Sequence, residues 1–181
     1  MSIASRKERQ KEELRTKILH HAKELFMERG FEETSIRNIA ERIEYSPTTI
    51  YLYFKDKDDI FYALHSEGFR ILNQYFKVLE HVSHPFERLK ATNKAYITFA
   101  LENREFYDLM FISNSPMKAI SKEEQPCWEE GDKAFGTLVK TIVDCTREGY
   151  FENMDPKLWP LLFGRWSMGS VHWRSGTVVR L

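Results

Sequence analysis

Residues 34–54 read TSIRNIAERIEYSPTTIYLYF, and this stretch decides the fold. Ile36, Ile39, Ala40 and Ile43 recur at helical spacing, so one side of a short helix is apolar. Thr34 stands where an N-cap would, its hydroxyl able to accept from an orphan amide. Glu44 and Tyr45 interrupt the pattern, and Ser46-Pro47 restarts it. Serine caps a helix start, and proline suits the first helical position, where the amide has no partner. The spacing predicts a further short helix over 47–53. Two short helices joined by a tight turn have helix-turn-helix proportions. The second begins small and polar (Pro47, Thr48, Thr49), an end that fits a major groove and offers hydroxyls to bases and phosphates. Ile50 and Phe54, on its other side, anchor it to a core.

The flanks extend this helical pattern. Upstream, a helix opens at Ser5, with Glu8 at capping-box spacing, and carries Leu14, Ile18, Ala22, Leu25 and Phe26 inward until Gly30 stops it. Downstream, Asp56 caps a fourth helix, with Asp58 and Asp59 at its positive end and a stripe of Ile60, Leu64, Ile71, Leu72 and Tyr75. Pro85 opens a fifth with Leu89, Tyr96, Ile97, Ala100 and Leu101 inward; Asn103 caps a sixth with Phe106, Leu109 and Met110 inward. Residues 114–125 are polar and read as a loop. A seventh helix spans 127–148, with Phe135, Leu138, Val139, Ile142 and Val143 inward, and Gly149 ends it. Asp155-Pro156 starts an eighth, reaching Ser175; the five residues after Gly176 are too few for a ninth. The expectation is an all-α chain of eight helices, or nine if more chain follows. The expected division is residues 1–55 as a helix-turn-helix DNA-binding head and 56–181 as a helical body, with the fourth helix as linker.

Composition narrows the function. Hydrophobic residues make up 42% of the 181, which excludes a disordered chain. Aromatics reach 14%, enough for an aromatic-lined cavity as well as a core. The formal net charge is zero, yet six basic residues lie between Arg6 and Lys17 against three acids. That stretch reads equally as a solvated helix start or as a phosphate-facing one. Cys127 and Cys145 lack metal-type spacing, and a reducing cytoplasm fits them. Met1 to Lys11 is polar and charged, unlike a signal peptide, and no apolar run is long enough for a membrane span. His81 and His84, with Glu80 or Glu87, lack the partners of a zinc site. His20 and His21 are adjacent, so they point to different sides of a helix and suit no shared metal. Asp56, Asp58, Asp59 and Asp155 are helix-start residues rather than an acid/base pair. No nucleophile elbow, phosphate-cradling glycine loop or dinucleotide fingerprint occurs. The expectation is no enzyme, no cofactor and no metal.

Gly30-Phe31, Thr34-Ser35-Ile36, Ile39-Ala40, Ser46, Thr49-Ile50-Tyr51, Tyr53-Phe54 and Lys57, at their spacing, resemble the head of the TetR family of repressors. The resemblance implies that Thr49 approaches bases or phosphates, and that Tyr51 and Tyr53 touch sugar-phosphate. Lys57 would pair with a phosphate at the positive end of its helix. Thr34 or Ser35 would cap the second helix and meet the DNA backbone. Arg37 and Thr48 complete the DNA-binding set. Two residues depart from the family's pattern. Glu44 stands where the turn usually has glycine, and Thr48 at a position that is often glycine. A left-handed Glu is strained, and an acid beside DNA is unfavourable. The resemblance further implies a homodimer that sets two recognition helices on a pseudo-palindromic double-stranded DNA operator and is released by a small-molecule effector. The aromatic surplus places an apolar or aromatic effector near Phe99, Tyr107, Met110, Phe111 and Phe135, with Tyr96, Asn93 or Tyr107 as polar partners. The last two long helices form the dimer surface, with Trp159, Leu162, Trp166 and Trp173 at the contact. Two rivals stand beside this reading. One is a DNA-binding dimer whose body serves only assembly. The other is a helical enzyme carrying this head, which requires a convergent cluster of titratable groups.

Overall fold

In the computed structural model, which describes residues 3–112 and 129–151, every regular element is helical. The order is α1 (Ile3–Arg29), α2 (Ile36–Ile43), α3 (Pro47–Tyr51), α4 (Lys57–Lys77), a 3-10 turn (Val78–His81), α5 (Pro85–Glu102), α6 (Arg104–Tyr107), a π-helical turn (Asp108–Ile112) and α7 (Glu129–Arg147). The expected loop at 114–125 and the helix from Asp155 to Ser175 lie outside the described residues.

Local chemistry sets the boundaries. Gly30 ends α1 at φ +84°, its amide donating to Phe26 O at 3.0 Å. α1 is already helical at Ile3, so Ser5 and Glu8 lie inside it rather than at its start. The cap of α2 is Ser35, not Thr34: Ser35 Oγ accepts from Asn38 N, and the Asn38 side chain answers to the Ser35 amide. Thr34 turns inward instead. α2 ends on Glu44, at φ 61° and ψ 41° the one left-handed non-glycine residue among those described. Ser46 caps α3, with Pro47 at its start. Asp56 caps α4, accepting from Asp59 N at 2.8 Å. α3 stops at Tyr51, short of the expected 53, although the Tyr53 and Phe54 amides still donate to Ile50 O.

One continuous core runs from Ile18 in α1 to Ala134 in α7. α4 is its axis, packing on α1, α5 and α7. Its Ile60, Phe61, Leu64 and Leu72 are buried, each contributing roughly 1.5–3 kcal/mol by leaving water. Two expected stripes are out of phase. On α5, Ile97 and Leu101 are exposed, while Thr92 and Phe99 are buried. On α7, Val139 is exposed and Phe135 half-buried, and the interior face is Gly131, Ala134, Leu138, Thr141, Ile142 and Cys145. α7 packs on both α4 and α5, and such close approach favours small residues. Arg88 ties α5 to α7, donating to Asp144 Oδ2 at 2.5 Å and Thr141 Oγ1 at 3.3 Å.

Candidate nucleic-acid interface

α3 is held from one side. Ile50 is fully buried and Phe54 nearly so. Ser46 Oγ accepts from the Thr49 amide at 3.2 Å and lies 2.9 Å from its hydroxyl, fixing the helix start. The other side is uncovered: Thr48 is exposed, Tyr51 is 56% exposed and Leu52 75%. Leu52 escaped the sequence reading, because a leucine between two tyrosines reads as core. Ser35 and Arg37, at the start of α2, are also exposed. Tyr53 is half-buried against the core.

Two of the expected DNA-contact residues make hydrogen bonds within the head. Thr34 is 1% exposed, and its hydroxyl donates to Gly30 O at 2.8 Å and Leu25 O at 3.2 Å, so its side chain cannot reach a duplex. Lys57 Nζ donates to Phe31 O at 2.6 Å and Glu32 O at 3.3 Å, and sits 4.1 Å from the Phe31 ring centroid. An ammonium has three donors, so only one remains for a phosphate.

The basic stretch of α1 reaches the turn between α2 and α3. Lys7, Lys11 and Lys17 line a groove of about 500 Å³ with Gln10, Glu13, Leu14, Tyr45 and Tyr53. Lys17 Nζ donates to Ile43 O at 3.2 Å and lies 5.3 Å from the Tyr45 ring. Sequence alone could not place these lysines, because nothing local records which turn a long helix passes. Nearby acid is masked: Arg42 forks onto Glu28 at 2.6 and 3.2 Å, holding that carboxyl below its ordinary range.

In the body, four of the five expected effector residues share an aromatic layer. Phe99 meets Tyr75 at 5.9 Å, Tyr107 meets Phe111 at 5.2 Å, and Tyr96 Oη donates to Tyr107 Oη at 3.2 Å. Met110 is buried against Gly68, where a Cβ would collide with its sulfur. Phe135 stands outside that core, and Asn93 is exposed rather than lining it. A second groove, of about 380 Å³, lies where α1 and Tyr53 meet α4 and Glu130, lined also by Arg15, Asp59, Tyr62, Glu67 and Arg70. None of the five lines either groove. His20 and His21, expected to diverge, both reach Glu24. No described helix is long and apolar enough to cross a membrane.

Residues 18–64 match the sequence model of the bacterial regulatory proteins, tetR family. That match covers the head of the chain, and it is the tetR-family head that residues 18–64 resemble. The HTH-type transcriptional regulator HbdR of Aromatoleum sp. (strain CIB) is 29% identical over 149 residues, covering 81% of this chain and 64% of that protein. The HTH-type transcriptional regulator SAB2452 of Staphylococcus aureus (strain bovine RF122 / ET3-1) is 25% identical over 107 residues, 59% of this chain and 58% of that one. The chain thus spans less than two thirds of the length of either relative. Among solved structures, the fatty acid degradation regulator FadR from Bacillus halodurans superposes at TM-score 0.66 and 20% identity, over 83% of this chain and 78% of that one. The regulator FadR from Bacillus subtilis in complex with stearoyl-CoA superposes at TM-score 0.59 and 19% identity, over 82% of this chain and 81% of that one. At such identities the likeness establishes the all-helical fold alone.

Proposed function

We propose that the chain is a DNA-binding transcriptional repressor acting in the cytoplasm as a homodimer, with residues 1–55 as its DNA head and 56–181 as its effector and assembly body. The observation that carries this reading is the one-sided anchoring of α3. Ile50 and Phe54 fix the helix, and Thr48, Tyr51 and Leu52 are left uncovered beside a lysine-lined groove. A recognition helix needs that arrangement: rigid from behind, open in front, with positive charge alongside. Thr48 and Thr49 then face base edges. Tyr51, Tyr53, Ser35 and Arg37 meet the sugar-phosphate backbone, together with the remaining donor of Lys57. The effector is a small apolar or aromatic molecule accommodated by the layer of Phe99, Tyr107, Met110 and Phe111, with Phe135 at its margin. Stearoyl-CoA, bound by the Bacillus subtilis neighbour, is the first probe for it.

The close seating of Met110 on Gly68 favours a second reading, in which the body serves assembly alone. One experiment addresses both. Duplexes selected from a randomised pool are carried into gel-shift titrations, with and without stearoyl-CoA. The expected result is an enriched pseudo-palindrome, weakened at least tenfold by Tyr51→Ala and released by the acyl-CoA. A pool with no enriched sequence removes the DNA-binding reading. Tight binding that neither stearoyl-CoA nor an aromatic compound screen relieves leaves the assembly-only body standing.

A further inference from the structure

We propose that His20, His21 and Glu24, on the outer side of α1, form a binding site for a divalent transition cation of the zinc, nickel and copper class. Neighbouring residues on a helix are separated by roughly 100° around the axis, so two adjacent histidines look divergent on paper. Long side chains overcome that separation when a third residue one turn later lies between them. Here the two rings approach edge to face, with centroids 5.0 Å apart. Glu24 bridges them: Oε2 is 2.8 Å from His21 Nδ1, and Oε1 is 3.4 Å from His20 Nε2. The three donor atoms all lie within 4.8 Å of one another. Ligands around a tetrahedral zinc, each at about 2.0–2.2 Å from the metal, sit about 3.5 Å apart. Small rotations of partly exposed side chains close the difference.

The donor set selects the metal. Two imidazoles and a carboxylate suit borderline cations and leave a coordination position for water. Magnesium and calcium demand oxygen ligands and are poorly served. The surroundings are compatible with a cation. Arg42 Nη1 lies 3.9 Å from Glu24 Oε2, but its fork is already neutralised by Glu28. Arg42 is therefore placed to orient the Glu24 carboxylate from outside the coordination sphere. The turn that carries the three ligands is fixed from behind by the buried Ile18, Ala22 and Leu25, so little ordering remains to be done on binding.

The test uses the full chain, with zinc chloride, magnesium chloride and cobalt chloride as probes. Calorimetry is expected to find one zinc per chain and no comparable magnesium binding. His20→Gln with His21→Gln is expected to lower zinc affinity at least tenfold, with the far-ultraviolet spectrum unchanged. His81→Gln with His84→Gln is the control and leaves affinity as in the parent chain. Cobalt is expected to give visible d–d bands without a thiolate charge-transfer band. Zinc binding that survives the first double variant overturns the assignment. So does equal affinity for magnesium, which marks a carboxylate surface, or a thiolate band, which places the metal on Cys127 or Cys145.

Discussion

Thr34 donates its hydroxyl to the carbonyls of Leu25 and Gly30 at the end of α1, and so closes the corner between α1 and α2. Thr34→Val keeps the shape and removes the hydroxyl donor from that corner. It is expected to cost about 1–2 kcal/mol in urea unfolding and to leave duplex affinity of the folded protein unchanged. A larger loss of affinity than of stability would return Thr34 to the DNA face. His65 raises a different matter. It is buried on α4 between the Phe61 and Phe69 rings, at 6.0 and 5.1 Å, and burial pushes its imidazole down to about 4, against a weaker upward pull from a hydrogen bond with the Met110 backbone. The unfolded chain protonates His65 at its ordinary value of 6.5, and the fold resists that proton. This group's contribution to stability is therefore complete above pH 6.5 and shrinks as the pH falls from there towards 4. At about 1.4 kcal/mol per unit the loss is on the order of 3 kcal/mol. Glu67, held low by the Arg70 guanidinium, loses its contribution only below the ordinary carboxylate value of 4.5, which a comparison between pH 7 and pH 5 does not reach. Urea midpoints at pH 7 and pH 5 are expected to differ for the parent chain and much less for His65→Gln. Equal slopes in the two proteins would assign the acid sensitivity elsewhere.

Helix starts and stops were legible in the sequence because they are local chemistry: Ser46-Pro47, Asp56, Pro85, Gly30 and Gly149 each act within one turn. Which side of a helix faces inward is decided by its neighbours, and there the sequence ran out. Ile97 and Leu101 look like a core stripe until α5 is seen to bury Thr92 and Phe99, with Phe99 against Tyr75 of α4 and Arg88 tied to α7. The choice between Thr34 and Ser35 as cap was likewise non-local, since it turns on carbonyls of the preceding helix. Within the interface, the polar start of α3 was legible, but the route of the α1 lysines to Tyr45 was not. Glu44 was legible as a strained turn, and it is left-handed as expected. Glu44→Gly removes the side-chain clash and an acid beside the interface. It is expected to raise stability by up to about 1 kcal/mol and to tighten duplex binding. A destabilised variant would show that the Glu44 side chain contributes a contact of its own. Gly68 behaves in the opposite way. In an open helix Gly→Ala gains about 1 kcal/mol, but here the new methyl meets Met110 and Phe106. Gly68→Ala is expected to cost about 1–3 kcal/mol, and adding Met110→Ala to recover part of it. Strict additivity of the two substitutions would mean that α4 and the π-helical turn do not press on each other there.

The head does not hang from the body by one linker. Lys23 on α1 forms an ion pair with Glu105 at 2.5 Å and lies over the Phe106 ring at 4.6 Å, so α1 and α6 are clamped beside the shared core. A shift of α6 therefore has a direct handle on α1, and so on the proposed DNA head, as well as a route through α4. Two such heads act together only if the chain dimerises, and α7 gives the reason to expect that it does. Its interior face is complete without Phe135 and Val139, which leave an apolar strip along one flank. Strips of that kind on an otherwise charged helix mark an interface. The stretch with Trp159, Leu162, Trp166 and Trp173 lies outside the described residues but supplies further large apolar side chains close in sequence. Light scattering at micromolar concentration is expected to give twice the chain mass of 21.6 kDa. Val139→Glu places a charge in the strip, and the dimer is expected to dissociate while the helical spectrum is retained. Duplex affinity should then fall by far more than any single-residue DNA contact accounts for, because linked heads see one another at an effective concentration of about millimolar. A parent chain that scatters as a monomer, or a Val139→Glu variant that remains a tight dimer, would move the assembly surface away from this flank of α7.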